Sequence, residues 1–261
     1  MVAAGTNLYG AYPPPVSSSP LPLSARFALW LSAWLSGGTS LDEARDAIVA
    51  DDVAHDVTGL PGSPDGTSTP LIVALGQLRS AGATGAGIAL PVPGDLLGLA
   101  GPGDFNAEVV DVGEGVVLEG ADLGLVPHRA GPGVVWACHR AESRRQLPDP
   151  SEADGTLRQA LLRTTDLLAD LDVARWRPEV ADELMALRRH ADFAFPAAMA
   201  PRAVRLAALA TRCRTIVELA LEDVGGSITA AEAEARRRAL TPLDHAARRG
   251  LVAACAYPWQ R

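Results

Sequence analysis

The stretch GVVLEGADLGLVPHRAGPGVVWACH, residues 115–139, decides the fold of the first half of the chain. It contains three runs rich in valine and leucine, and turn sequences with Gly, Asp and Pro separate them. Short apolar runs joined by tight turns are typical of antiparallel strands. The stretch therefore predicts a three-stranded meander over residues 115–119, 123–128 and 133–139.

Short helices and strands are predicted upstream of the meander. Apolar spacing indicates helices over residues 26–36, 71–80 and 105–112, and strands over 53–58 and 88–90. Thr69 is expected to cap the helix that begins at Pro70. The strand, helix and strand over residues 53–90 favour a βαβ unit with two parallel strands. The first half is therefore predicted to be α+β, a small mixed sheet with flanking helices.

The second half has a helical period throughout. It predicts helices over residues 150–173, 178–190, 201–224 and 229–257, the last of them broken or kinked at Pro242. This pattern favours a C-terminal antiparallel helical bundle.

The composition changes at the same place. Residues 1–150 hold 7 Arg against 16 acidic residues, and residues 151–261 hold 16 Arg against 15. We therefore predict a flexible Pro/Ser-rich arm at 1–22, an α+β domain at 23–147 and a helical domain at 148–261.

The overall composition excludes several functions. All 23 basic residues of the 261 are arginine, so no lysine is present to bind a nucleotide phosphate in a P-loop or to form a Schiff base. The net charge of −8 disfavours nucleic acid and an anionic membrane as partners. The longest apolar run, residues 27–35, is too short to span a membrane, and no signal peptide is recognised at the N-terminus.

The three cysteines indicate a reducing compartment. Cys138, Cys213 and Cys255 are scattered and lack C-x-x-C spacing, so we expect buried thiols in a reducing cytoplasm. Neither a metal nor any other cofactor is predicted.

The loop over residues 91–105 is the segment most typical of a binding site. Its glycines allow close backbone approach, Asp104 is expected to cap the following helix, and Asp95 is left to face a pocket. The alternative is that these glycines only shape a turn.

A second candidate surface lies on the meander. His128, Arg129 and Trp136, with His139 and Arg140, are expected to line one face of the sheet and bind a ligand. The alternative is ordinary edge polarity. Cys138 and His139 are adjacent on a strand and so cannot form a catalytic dyad, because neighbouring side chains point to opposite faces.

Two charged clusters have a functional and a plain structural interpretation. Asp51, Asp52, His55 and Asp56 contain metal-ligand residue types, but a solvated helix end is favoured. The arginines at 236–238 are expected to form salt bridges with nearby glutamates rather than to bind an anion or nucleic acid.

Motifs that would identify an enzyme are missing. The chain lacks G-x-S-x-G, H-E-x-x-H and C-x-x-C, so no catalytic residue is predicted.

Three segments carry a family resemblance: LPVPGD at 90–95, DVARWRPEVADELMAL at 172–187 and AARRGLVAA at 246–254. In them the chain resembles a family of actinobacterial proteins of unknown function. The resemblance implies no activity, cofactor or catalytic residue.

The sequence thus favours a cytoplasmic, non-catalytic module that binds a protein or a small ligand, with self-association as one form of protein binding. One alternative is an enzyme or receptor that binds an anionic ligand at the Asp95 loop, between sheet and bundle. A pocket that joins Asp95, a histidine and an arginine would favour this alternative. The other is nucleic-acid binding through the arginine-rich helices.

Overall fold

The structure is a computed structural model, and it describes residues 21–64, 66–143, 145–170, 194–222 and 230–256. For residues 165–170, 222 and 230–232 it describes the backbone without the side chains. The predicted helix over 178–190 and residues 1–20 of the predicted arm lie outside the described residues.

Within these ranges the chain forms seven helices and six strands. The helices are α1 (Leu23–Leu35), α2 (Leu41–Val49), α3 (Leu71–Ser80), α4 (Gly103–Val112), α5 (Pro150–Asp170), α6 (Pro201–Glu222) and α7 (Ala230–Cys255). The strands are β1 (His55–Thr58), β2 (Thr69–Pro70), β3 (Gly85–Ala89), β4 (Gly115–Glu119), β5 (Leu123–Ala130) and β6 (Gly133–Arg140). The predicted α+β class, with a mixed sheet and C-terminal helices, is confirmed.

The six strands form one open sheet in the order β2-β1-β6-β5-β4-β3. Strands β1 and β6 are parallel, and every other neighbouring pair is antiparallel. The predicted meander is confirmed as β4, β5 and β6. The predicted βαβ unit is wrong, because β3 pairs with β4 at the far edge of the sheet and runs opposite to β1.

Two layers of helices cover the sheet. On one face, α1 packs with the C-terminal helices in a single buried cluster that includes Ile88, Trp136, Leu206 and Leu251. On the other face, α4 covers a smaller cluster around Phe105. Because the larger cluster contains residues from both halves of the sequence, the sheet and the C-terminal helices share one core.

The outer edge of β3 is closed by side chains. Ser32 in α1 accepts a hydrogen bond from the backbone N–H of Ala86 at 2.9 Å and donates to its carbonyl at 3.3 Å. Arg145 donates to the carbonyl of Ile88 at 3.1 Å. These bonds satisfy groups that an open edge strand would offer to another chain.

The start of α3 differs from the prediction. Thr69 pairs with Val57 in the sheet, so its backbone belongs to β2. Helix α3 begins at Leu71, and Pro70 occupies the N-cap position without a side-chain hydrogen bond. The predicted cap at Thr69 is therefore wrong, because sheet pairing takes the place of capping.

Helix α7 continues through Pro242, so of the two forms predicted at this residue the break is wrong, and the kink stays a prediction. The hydroxyl of Thr241 donates to the carbonyl of Arg237 at 2.8 Å, one residue before the carbonyl of Arg238, which loses its helical N–H partner at Pro242. Among the described residues, no helix is both long enough and apolar enough to cross a bilayer.

Candidate functional site

The Asp95 loop lies against helix α7. Oδ2 of Asp95 is 3.3 Å from both Nη1 and Nη2 of Arg248, and it is 3.4 Å from Nε2 of His245. The structure thus joins Asp95 with a histidine and an arginine, the three residues that the receptor alternative requires around a pocket.

Arg248 is fully engaged within the protein. Its side chain is only 6% exposed, Nη1 donates to the carbonyl of Leu90 at 2.8 Å, and Nε donates to Asp244 at 3.0 Å. With the bonds to Asp95, every guanidinium nitrogen has an acceptor. This arrangement fastens the loop to α7 and leaves no nitrogen of Arg248 unbonded for an anion.

Asp104 does not cap helix α4. The helix begins one residue earlier, at Gly103, and Pro102 occupies the N-cap position. Asp104 is an exposed residue of the first turn, where a negative charge complements the helix dipole. The predicted cap is therefore wrong.

The surface predicted on the meander is divided between the two faces of the sheet. His128 points towards α4, where it contacts Glu108. Arg129 and Trp136 lie on the α1 side, where Arg129 contacts Asp52 and Trp136 is buried. The expectation of one shared face is wrong, because side chains alternate along a strand.

Asp52 is the centre of a partly buried network on the α1 side. Its carboxylate accepts from Arg26 at 2.6 Å, from Nε2 of His55 at 3.0 Å and from Arg129. The indole Nε1 of Trp136 donates to Nδ1 of His55 at 3.2 Å, so the proton of the neutral ring lies on Nε2. Both ring nitrogens of His55 are therefore occupied.

The network fixes the protonation of both groups. Burial raises the pKa of Asp52, but hydrogen bonds from His55, Arg129 and Arg26 outweigh it and hold that pKa below its ordinary value. Burial lowers the pKa of His55, although the bond to Asp52 opposes this effect. The solvated helix end expected for Asp52 and His55 is wrong, since Asp52 is 10% exposed and His55 is buried.

Glu108 in α4 lies between two histidines of the sheet. Its Oε1 is 2.7 Å from Nε2 of His128, and its Oε2 is 3.1 Å from Nε2 of His139. Among the described residues, Nε2 of His139 is nevertheless buried without a hydrogen-bond partner. In the described part of the chain, no group of three His, Cys, Asp or Glu side chains has the geometry to hold a metal ion.

A cleft of about 570 Å³ lies where α1 begins, α4 ends and α6 crosses the end of β5. We call it the Arg214 cleft, and its lining residues are Leu21, Pro22, Leu23, Val112, Gly113, Glu114, Pro127, His128, Arg129, Thr211, Arg214 and Glu218. It therefore includes two of the predicted ligand-binding residues, His128 and Arg129, together with residues from the C-terminal half.

Arg214 carries the unsatisfied polar groups of this cleft. Its side chain is 20% exposed, and Nη2 donates to Glu218 at 3.3 Å. Within the described ranges, its Nε and Nη1 are buried and have no hydrogen-bond partner. A buried donor without a partner is costly, so turning the guanidinium towards an acceptor in the cleft would be favourable.

Glu114 does not neutralise Arg214. Its Oε2 accepts the backbone N–H of Ser24 at 2.8 Å and the hydroxyl of Ser24 at 2.7 Å. This carboxylate thus satisfies the first turn of α1 and complements the helix dipole there.

A larger cleft, of about 1270 Å³, lies at the carboxyl ends of the parallel strands β1 and β6. Ligands often bind at such ends in open sheets. Here most polar groups are exposed or pair with one another, as Ser143 does with Asp122 at 3.0 Å, and the buried Nε2 of His139 lies 3.1 Å from the carboxylate of Glu108. The Arg214 cleft is therefore the stronger candidate.

Comparison with known proteins identifies the family. The model for the N-terminal domain of Rv1486c-like proteins matches residues 24–153, and the model for their C-terminal domain matches residues 151–252. The chain belongs to the Rv1486c-like protein family. The predicted resemblance to actinobacterial proteins of unknown function is confirmed.

Two mycobacterial relatives of the Rv1486c-like family illustrate the similarity. The uncharacterised protein Rv1486c of Mycobacterium tuberculosis is 34% identical over 126 residues, which is 40% of this chain and 43% of the relative. The uncharacterised protein MAV321 of Mycobacterium avium is 35% identical over 127 residues, which is 40% of this chain and 41% of the relative. The matches thus span less than half of these relatives. No solved structure matches the chain.

Sequence reasoning on this Rv1486c-like chain missed Arg214 and Glu108. In the sequence, Arg214 and Glu218 have the spacing of an ordinary helical ion pair, which conceals the two unsatisfied N–H groups. Glu108 is one of several acids on an amphipathic helix, and its contacts with the histidines depend on how α4 packs on the sheet.

Proposed function

We propose that the protein is a cytoplasmic, non-catalytic binding module, and that its ligand is a small molecule with a carboxylate or phosphate group held in the Arg214 cleft. The proposal keeps the anionic ligand expected from the sequence. It moves the site from the Asp95 loop, where Arg248 is fully bonded, to the cleft lined by His128, Arg129 and Arg214.

One observation carries the proposal: among the residues that the structure describes, two buried N–H groups of Arg214 have no acceptor. An anionic oxygen would accept charge-assisted hydrogen bonds from them, and such bonds are stronger than neutral ones. The position of the cleft, between elements of the two halves, is common for small-molecule sites.

The ion pairs on the arginine-rich part of α7 favour a small ligand over nucleic acid as the binding partner. Arg238 pairs with Glu234 at 2.9 Å, as the helical spacing predicts, and Arg237 pairs with the same carboxylate at 2.8 Å. An exposed guanidinium that is already paired is less available to a phosphate backbone. Association with a protein partner or a second copy of the chain stays a prediction.

The test is calorimetric titration of the full chain with sulfate, inorganic phosphate and citrate. Wild type is expected to bind at least one of them, and Arg214→Gln is expected to weaken binding about ten- to a hundredfold, as for the loss of a charged hydrogen bond. The matched control is Arg158→Gln, which removes an exposed, paired arginine from α5.

Retained affinity in Arg158→Gln would show that the loss is specific to the cleft. The proposal is overturned if wild type binds none of the three anions, or if Arg214→Gln binds as tightly as wild type.

A further inference from the structure

His128 is the histidine among the residues that line the Arg214 cleft, and histidine is the residue type that most readily changes its charge near neutral pH. Its side chain is 44% exposed, and its Nε2 lies 2.7 Å from Oε1 of Glu108. An ionised carboxylate only accepts hydrogen bonds, so Nε2 is the donor and Nδ1 is the nitrogen that gains the second proton. Protonation therefore adds a charge and a donor to a residue that lines the cleft.

We propose that anion binding in the Arg214 cleft is linked to protons through His128, so that the site binds its anion more tightly in mildly acidic than in mildly alkaline solution. This inference rests on the proposed function, because it concerns the regulation of the same site.

The linkage follows from charge. A cation near a bound anion lowers the free energy of the complex, so the anion favours the protonated ring and the protonated ring favours the anion. Glu108 holds the ring in place from α4 and stabilises the imidazolium. The ligand thus binds best when His128 carries a proton.

The other charged groups around His128 do not account for a change near neutral pH. Arg129 on β5 and Arg214 on α6 stay charged, because guanidinium groups do not titrate in this range. The carboxylates Glu108, Glu114 and Glu218 belong to a residue type that ordinarily titrates near pH 4.

His139 is the other histidine in contact with Glu108. It lines the larger cleft at the carboxyl ends of β1 and β6, not the Arg214 cleft. It therefore provides a matched control, because it shares the carboxylate but not the proposed ligand.

The experiment is calorimetric titration of the full chain with sulfate, which keeps its two charges throughout, at about pH 6 and about pH 8. Wild type is expected to bind sulfate about three- to tenfold more weakly at the higher pH, as for the loss of one nearby charge. His128→Gln is expected to remove this difference, whereas His139→Gln and His245→Gln are expected to keep it.

The outcomes separate this inference from the proposed function. If wild type binds sulfate equally at both pH values and Arg214→Gln still weakens binding, the proton linkage is wrong and the anion site stands. A pH dependence that survives in His128→Gln, or disappears in His139→Gln, also overturns the inference. If wild type binds sulfate at neither pH, both the anion site and its linkage to protons fail for this probe.

Discussion

At the scale of single residues, His55 is held in one protonation state by its two neighbours. Trp136 donates to Nδ1, and Nε2 faces the carboxylate of Asp52. A second proton on the ring would place two donors face to face at Nδ1. The indole would then lose its acceptor inside the core, where Trp136 is fully buried.

This arrangement predicts a loss of stability in mild acid. Burial holds the pKa of His55 below its ordinary value, so below about pH 6.5 the unfolded chain binds this proton before the folded chain does. The free energy of unfolding therefore decreases as the pH falls, by about 1.4 kcal/mol for each unit by which the pKa is lowered. Asp52 contributes at lower pH, because its stabilisation is present above its ordinary pKa and is lost as the pH falls through the folded value.

The measurement is urea denaturation, followed by circular dichroism, at about pH 7.5 and about pH 5.5. His55→Gln is expected to lose less stability between these pH values than wild type, although it is less stable than wild type at the higher one. His245→Gln is the control, because His245 is exposed on α7. An equal pH dependence in wild type and His55→Gln would contradict the prediction.

At the scale of elements, the loop between β3 and α4 depends on close backbone approach. Gly98 has a φ of +85°, and a Cβ there would lie 2.6 Å from the carbonyl oxygen of Ile88 and 2.8 Å from the Cα of Ala89. Gly94, in the same loop, has a φ of +88° but nothing within 4 Å of such a Cβ. The two glycines thus separate backbone strain from steric overlap.

Gly94→Ala is expected to destabilise the protein by about 1–2 kcal/mol, the cost of a left-handed conformation for alanine. Gly98→Ala is expected to cost about 1–3 kcal/mol more, because the backbone of β3 must also move. Both values are measured by chemical denaturation. Equal losses in the two variants would show that the loop relaxes away from β3 without cost.

The elements also show what the sequence can predict. Local signals identified α3 over residues 71–80 and the three strands of the meander, since each rests on neighbours in the chain. The pairing of β1 with β6 joins strands about 80 residues apart, and no local pattern specifies it. For the same reason, the βαβ prediction was wrong, because it paired β1 with β3, the strand that is nearer in the sequence.

The candidate site likewise contains residues that could be predicted from the sequence and residues that could not. Asp95 was recognisable from the glycines around it, but its partner Arg248 is 153 residues away. His128 and Arg129 were expected to bind a ligand, and both line the Arg214 cleft. Arg214 itself became visible only when α6 was placed against the end of the sheet.

At the scale of the whole molecule, the two halves are joined by a shared core and by Arg248. By sequence, the first half is acidic and the second half is nearly neutral. In the structure, apolar residues of both halves form one cluster, and Arg248 adds hydrogen bonds from α7 to the end of β3. We therefore expect the sheet and α7 to unfold together.

Arg248→Leu tests this cooperativity. The substitution keeps apolar bulk but leaves the carbonyl of Leu90 without its side-chain donor and separates Asp95 and Asp244 from their cation. We expect a loss of roughly 3 kcal/mol, the lower end for a buried pair, because both carboxylates retain contact with solvent. Arg249→Leu, one residue along the same helix, is the control and is expected to cost far less.

Hydrogen exchange measured by mass spectrometry shows whether the sheet and α7 lose stability together in Arg248→Leu. In a cooperative molecule, the slowest amides of β3–β6 and of α7 lose the same protection in Arg248→Leu, because both exchange through the same global opening. If α7 alone lost protection, the helix would open independently of the sheet. The shared core would then be too weak to couple the two halves, and they would behave as separate domains.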